Sequence, residues 1–233
     1  MTERLYLLDG YLREFDAVVT QADAVQKTVI LDRTAFFPGG GGQPADAGTL
    51  AQSAVVKMHR SAGEIEHVLD GGLPAIGDRV HGILDWDRRY SLMRTHTAMH
   101  ILCGVVFRDY GALVTGGEME RLHGRMDFEF ERMERSLVAK IEKAVNEEVT
   151  LARQVRVRIL PREQAFEIPD LIRTKVNLLP PGMTEVRTVE IVGLDLQADG
   201  GTHVLNTGEV GAVRIVDYKS KGAANKRIYL ELE

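Results

Sequence analysis

From Glu14 to Asp85 the apolar positions come in short runs, each closed by Gly, Asp or Pro. Examples are Phe15-Asp16-Ala17-Val18-Val19, Val25-Gln26-Lys27-Thr28-Val29-Ile30-Leu31, Ala54-Val55-Val56-Lys57-Met58, Ile65-Glu66-His67-Val68-Leu69 and Val80-His81-Gly82-Ile83-Leu84. With Leu5-Tyr6-Leu7-Leu8 in front and Thr49-Leu50 between, this spacing predicts strands of a small all-β barrel. The pattern then changes. Asp87 to Leu102 holds no Gly or Pro and reads as a helix. Val114-Thr115-Gly116-Gly117 reads as a turn and Leu122–Phe130 as a strand. Met133, Leu137, Ile141, Val145 and Val149 step by four, the core stripe of a second helix. Gln154–Leu160 alternates as a strand, Pro161 opens a short helix through Phe166, and Asn177–Gly182 reads as a rigid loop. Thr184–Val192, Ala212–Tyr218 and Arg227–Leu232 complete the strands. The expected organisation is a β-barrel domain over residues 1–87 and an α+β domain over residues 88–233. The second would carry two long helices on a mostly antiparallel sheet.

Composition narrows the class. The 233 residues are those of an ordinary globular protein. One cysteine, Cys103, rules out an internal disulfide and fits a reducing cytoplasm. No signal segment or membrane-length apolar run is evident, so no membrane is expected. A net charge of -5 argues against a general nucleic-acid coat, and no DNA partner is expected. A local basic patch on one RNA end remains open.

The predicted first helix carries His96-Thr97-Ala98-Met99-His100. Side chains at i and i+4 share a helix face, so both imidazoles can reach one metal ion. The plain alternative is two half-buried histidines. Downstream, Asp199-Gly200-Gly201-Thr202-His203 offers a carboxylate and a third imidazole around a double glycine. Together they supply the three or four donors of a zinc site. This is not the zinc-peptidase motif, because Thr97 stands where that motif needs its glutamate base. Cys103, about 10 Å along the axis from His96, is too far to share its ion and reads as core. Phe36-Phe37-Pro38-Gly39-Gly40-Gly41-Gly42-Gln43-Pro44 is either a flexible loop or one that lets a ligand approach its backbone.

In order, Leu31–Pro38 with the glycines through Gln43, the His96–His100 pair, Gly193–Ala198 leading to Gly200–Val204, and the closing strand pair make up a pattern. Over essentially the whole chain it resembles the freestanding AlaX proteins and the editing domain of alanyl-tRNA synthetase. The resemblance implies an ATP-independent deacylase of mischarged tRNA(Ala), acting on seryl- and often glycyl-tRNA(Ala) and sparing alanyl-tRNA(Ala). Carried over by residue, the zinc ligands are His96, His100 and His203. The family's cysteine position is Asp199, which either ligates directly or leaves the fourth place to water. Thr115 is the candidate partner for the serine hydroxyl, because a site that bonds the hydroxyl can refuse alanine. Gln197 is a further catalytic candidate. Gly40, Gly41, Gln43, Gly200 and Gly201 are candidates for substrate contact. Lys219, Lys221, Lys226 and Arg227, with Arg88, Arg89 and Arg94, are candidates for holding the tRNA acceptor end. Two rival classes stay open: a hydrolase of another small ester or amide, and an inactive RNA-binding module.

Overall fold

The computed structural model describes residues 1–61, 63–172, 182 and 184–233. Strand outweighs helix, in a mixed α and β fold. Contacts divide the chain into two units, Met1–Ser91 and Leu92–Glu233. The expected loop Asn177–Gly182 lies outside the described residues, apart from Gly182.

In the first unit the short strands β1 (Glu3–Arg4) and β4 (Arg33–Thr34) pair in parallel. The others are β2 (Glu14–Asp23), β3 (Thr28–Leu31), β5 (Gly48–Leu50), β6 (Ser53–Ser61), β7 (Glu64–Asp70) and β8 (Arg79–Leu84). These six hydrogen-bond in the order β2-β3-β7-β6-β5-β8 and close into a barrel. Closure removes the exposed edges a small open sheet would present. The alternating residues Phe15, Ala17 and Val19 of β2 and Ile65 and Leu69 of β7 point into its core, with Phe36, Phe37 and Leu50. Leu5–Leu7 is a 3-10 turn and not a strand. It seats one buried side chain, Tyr6, edge-on against Phe37 with ring centroids 5.4 Å apart.

Helix α1 (Trp86–Tyr110) begins in the first unit and runs into the second. It continues eight residues past the expected Leu102. From Leu92 to Val106 every residue except Arg94 is buried, so the helix has no polar stripe to mark its period. It ends where Gly111 takes a left-handed φ of 65° and its N–H bonds the Phe107 carbonyl, a common helix stop.

In the second unit β9 (Val114–Glu120), β10 (His123–Phe128), β14 (Val213–Gly222) and β15 (Asn225–Leu232) form a sheet ordered β14-β15-β10-β9. β11 (Val155–Pro161), β12 (Glu185–Ile191) and β13 (Asp195–Ala198) form a second. The pairings within both sheets are antiparallel. Val114–Gly117 is therefore the start of a strand, not a turn. Its glycines suit the strand because helix α1 lies close: a Cβ on Gly117 would stand 3.2 Å from Met99 Cε. Helix α2 (Arg135–Thr150) buries Val138, Ile141, Val145, Glu148 and Val149, a 3.6-residue stripe in which Val138 replaces the expected Leu137. It docks on β14 through Asn146, whose amide exchanges hydrogen bonds with Val213 N–H and C=O. Helix α3 (Arg162–Phe166) follows Pro161.

Candidate metal centre

His96 and His100 lie one turn apart on α1, in its fully buried stretch. His203 and Asp199 come from the loop after β13. One donor atom from each of His96, His100, Asp199 and His203 lies within 4.8 Å of the others, so this cluster could hold a metal ion. His96 and His203 stack with ring centroids 4.2 Å apart, and His100 meets both edge-on at 5.1 and 4.7 Å. His203 Nε2 is 3.0 Å from Asp199 Oδ2, and His96 Nε2 is 3.5 Å from Asp199 Oδ1.

The local sequence explains the loop. Asp199 Oδ2 accepts the Gly201 N–H at 2.7 Å, an Asx turn that folds the double glycine back under the carboxylate. Thr97, between the two helix histidines, is fully buried. Its Oγ1 accepts the Val204 N–H at 3.2 Å and lies 3.2 Å from His203 Nδ1. Arg187 on β12 donates to the Asp199 carbonyl at 2.8 Å and stands 3.6 Å from its carboxylate.

Electrostatics keep most of the cluster in ligand form. Burial holds His96 well below the usual imidazole range and His203 down to about 4, so both are neutral near pH 7. Burial also pulls on His100, but the carboxylates of Asp195 and Asp199 outweigh it and raise that imidazole. Asp199 is half-buried, and its desolvation would raise it. The surrounding imidazoles win and hold it well below the carboxylate range.

The other candidate residues have the following surroundings. Thr115 is exposed on β9 and its hydroxyl donates to Asn225 Oδ1 at 3.0 Å. Gln197 on β13 donates through Nε2 to Asp195 Oδ2 at 2.6 Å. Gly40 and Gln43 exchange backbone hydrogen bonds at 3.0 Å around Gly41-Gly42, a tight hairpin whose two central residues both have positive φ. Gly40 and Gly41 are exposed, Gln43 is buried, and Arg60 Nη2 clasps the Gly39 carbonyl at 2.8 Å. The loop is thus a defined turn. Gly200 is exposed and nothing stands within 4 Å of its Cβ position.

The basic candidates divide sharply. Lys219 and Lys221 are exposed. Lys226 is buried, its ammonium on the Gly222 and Ala223 carbonyls at 2.8 Å. Arg227 forms a fork on Asp127 at 2.6 and 2.8 Å. Arg94 donates to the Val210 and Glu233 carbonyls. Arg88 donates to the Ala45 carbonyl at 2.9 Å. Arg89 has a fully buried side chain paired with Asp46, so it is not available to an RNA.

Sequence reading missed Asp195, Thr97, Arg187 and Gly104. Gly104 carried a signal: a glycine inside a helix costs about 1 kcal/mol against alanine and calls for a packing reason. A Cβ there would meet Leu194 Cγ at 2.9 Å and Asp195 Cβ at 3.0 Å.

Residues 186–229, which carry Asp199 and His203, match the family model described as the threonyl and alanyl tRNA synthetase second additional domain. This stretch is therefore similar to a class of domain associated with tRNA synthetases. Relatives extend the likeness to the whole chain. The alanyl-tRNA editing protein AlaX-M of Methanosarcina acetivorans is 42% identical over 245 residues, covering 100% of this chain and 99% of the relative. AlaX-M of Saccharolobus solfataricus is 40% identical over 236 residues, covering 98% of each. The alanine–tRNA ligase of Ignicoccus hospitalis is 39% identical over 225 residues, which are 92% of this chain and 24% of the ligase. The chain belongs to the AlaX-M family of alanyl-tRNA editing proteins.

Proposed function

We propose that the protein is a trans-editing hydrolase that removes serine, and also glycine, from mischarged tRNA(Ala) while sparing alanyl-tRNA(Ala), as a zinc enzyme of the cytoplasm. The observation that carries this reading is the four-donor cluster of His96, His100, Asp199 and His203, its imidazoles buried and its carboxylate half-buried. Its donors fit zinc: three imidazoles, two held neutral by burial, and one carboxylate, in the combination zinc takes at about 2.0–2.2 Å. Asp199 would be the carboxylate donor, its Oδ2 braced by the Gly201 N–H and Arg187 and its Oδ1 facing His96. When bound, zinc polarises a carbonyl or lowers the pKa of a water.

The protein's own groups do the rest. Water adds to the aminoacyl carbonyl, and the ribose oxygen leaves with a proton. Thr97 braces His203, and the Gly200-Gly201 turn aims Asp199. Thr115 is the residue for the serine hydroxyl. It sits at the irregularity where β9 shifts register against β10, between Val114 and Gly116, and it is exposed. A substrate hydroxyl would replace its Asn225 partner, and alanine would leave that replacement unmade. In the second unit exposed Lys219 and Lys221 on β14 are the groups for holding the tRNA; in the first unit the Gly40-Gly41 hairpin is the candidate for substrate contact.

The test is deacylation of seryl-tRNA(Ala) beside alanyl-tRNA(Ala), with zinc measured on the same sample. The expected result is rapid loss of serine, alanine spared, and activity abolished by a chelator. Zinc present with both esters intact would overturn the substrate. Neither zinc nor activity after zinc addition would leave an RNA-binding module.

A further inference from the structure

His100 differs from the other cluster imidazoles. His203 Nδ1 has a hydroxyl neighbour, Thr97 Oγ1 at 3.2 Å. His100 Nδ1 is buried and has no partner in hydrogen-bond geometry. What faces it is the Asp195 carboxylate, with Oδ2 at 3.4 Å, slightly beyond a good bond. Asp195 has a side chain with no exposure, deep for a carboxylate. Gln197 holds that same oxygen at 2.6 Å. The bare backbone of Gly104, one turn after His100, is what lets Leu194 and Asp195 come this close to α1.

We propose that Asp195 is the positioning residue for His100: its carboxylate accepts a hydrogen bond from Nδ1–H and turns the Nε2 lone pair toward Asp199 and the other two imidazoles. An ionised carboxylate only accepts, so the nitrogen facing it carries the hydrogen. The neutral ring then has its lone pair on Nε2, the form a metal needs. Carboxylates behind metal-bound histidines act this way in general. Gln197 keeps Asp195 from turning away, and Gly104 supplies the clearance. This assigns Gln197 a place behind the ligands rather than at the reacting ester.

The inference rests on the metal reading proposed above, and its test separates the two. Zinc affinity is measured by chelator competition for wild type, Asp195→Ala, Asp195→Asn and Gly104→Ala. The His100 tautomer is followed in the zinc-loaded proteins by long-range proton–nitrogen NMR. Zinc binding by Asp195→Ala is expected to weaken about 10- to 100-fold. Asp195→Asn, whose amide oxygen still accepts, should recover most of it, and Gly104→Ala should fall between. The wild-type spectrum should show the proton on Nδ1 of His100, with the single tautomer lost in Asp195→Ala. Should Asp195→Ala not fold, Asp195→Asn and Gly104→Ala carry the same comparison. Wild-type affinity and tautomer in Asp195→Ala would overturn the inference alone. No zinc bound by the wild type would overturn it together with the metal reading.

Discussion

Two buried polar constellations, one in each unit, are built on opposite principles. In the barrel, Arg89 and Asp46 have fully buried side chains, and Arg89 Nε bonds both carboxylate oxygens at 3.0 and 3.1 Å. Its Nη1 and Nη2 reach the carbonyls of Gly10 at 2.7 Å and Ala35 at 2.6 Å, and Asp46 also accepts the Phe37 N–H at 2.6 Å. Opposite charges meet, every guanidinium nitrogen has a partner, and nothing further is asked of the site. In the second unit three imidazoles converge on one carboxylate, with rings that repel once protonated. Folding alone gives no return for that arrangement. A complete network fits a structural role, whereas imidazoles gathered on one carboxylate form a cluster that could hold a metal ion.

The largest expected effect lies at the complete network. Arg89→Ala leaves Asp46 charged and buried without its partner, and should lower unfolding free energy by about 3–5 kcal/mol in urea denaturation. Zinc bound per folded molecule should stay the same. A loss under 1 kcal/mol would break the comparison, because the pair would then be no more than a surface ion pair in its effect.

His67 in the barrel sharpens it from another side. It is fully buried, 3.0 Å from Thr34 Oγ1, and burial pushes its imidazole down to about 4. The unfolded chain therefore takes this proton first, near pH 6.5. Stability from His67 is full above that value, is lost as pH falls toward about 4, and then levels. The span corresponds to about 3 kcal/mol. Metal-free wild type compared with His67→Gln across pH 4–7 isolates it: the variant should lack this part of the acid slope. Parallel slopes in the two proteins would place His67 outside the linkage.

The imidazole cluster should respond to metal where the barrel does not. At 100 times its dissociation constant, zinc should raise unfolding free energy by about 2.7 kcal/mol. His96→Ala should abolish that gain, and His67→Gln should keep it. A gain that survives His96→Ala would mean that zinc binds elsewhere.

What was legible in the sequence follows the same division. The barrel strands were readable because one face of each is wet, so apolar residues alternate, as along Phe15, Ala17 and Val19. The His96–His100 pair stood out through its i, i+4 spacing taken together with Asp199 and His203 downstream. The far end of α1 was not, since a helix buried on every face has no period, and Gly104 reads as a breaker until Asp195 is seen against it. Val114–Gly117 misled for a related reason: a glycine pair looks like a turn, although Gly117 is there to admit Met99. Arg89 and Lys226 show the remaining limit. Charge is written in the sequence, but the partner that consumes it is decided by the fold.

The smallest effect tests that last point on the closing hairpin. Lys221 and Lys226 are five residues apart and carry the same charge. Lys226 is buried and spends its donors on the carbonyls of Gly222 and Ala223, which closes the turn between β14 and β15. Lys221 is exposed at the end of β14, and its charge helps hold the Asp127 carboxyl down, after the larger effect of the Arg227 fork. If this hairpin meets a phosphate backbone, Lys221 is the one of these two lysines able to do so. Lys221→Ala should change stability by no more than about 0.5 kcal/mol. It should weaken tRNA binding and reduce the salt slope of log affinity by about 1, the signature of one lost phosphate contact. Lys226→Ala should do the reverse, lowering the melting temperature while leaving the salt slope of the folded protein unchanged. The reverse result, a salt slope that follows Lys226 and ignores Lys221, would show the buried lysine leaving its carbonyls on binding and would move the RNA contact to the turn itself.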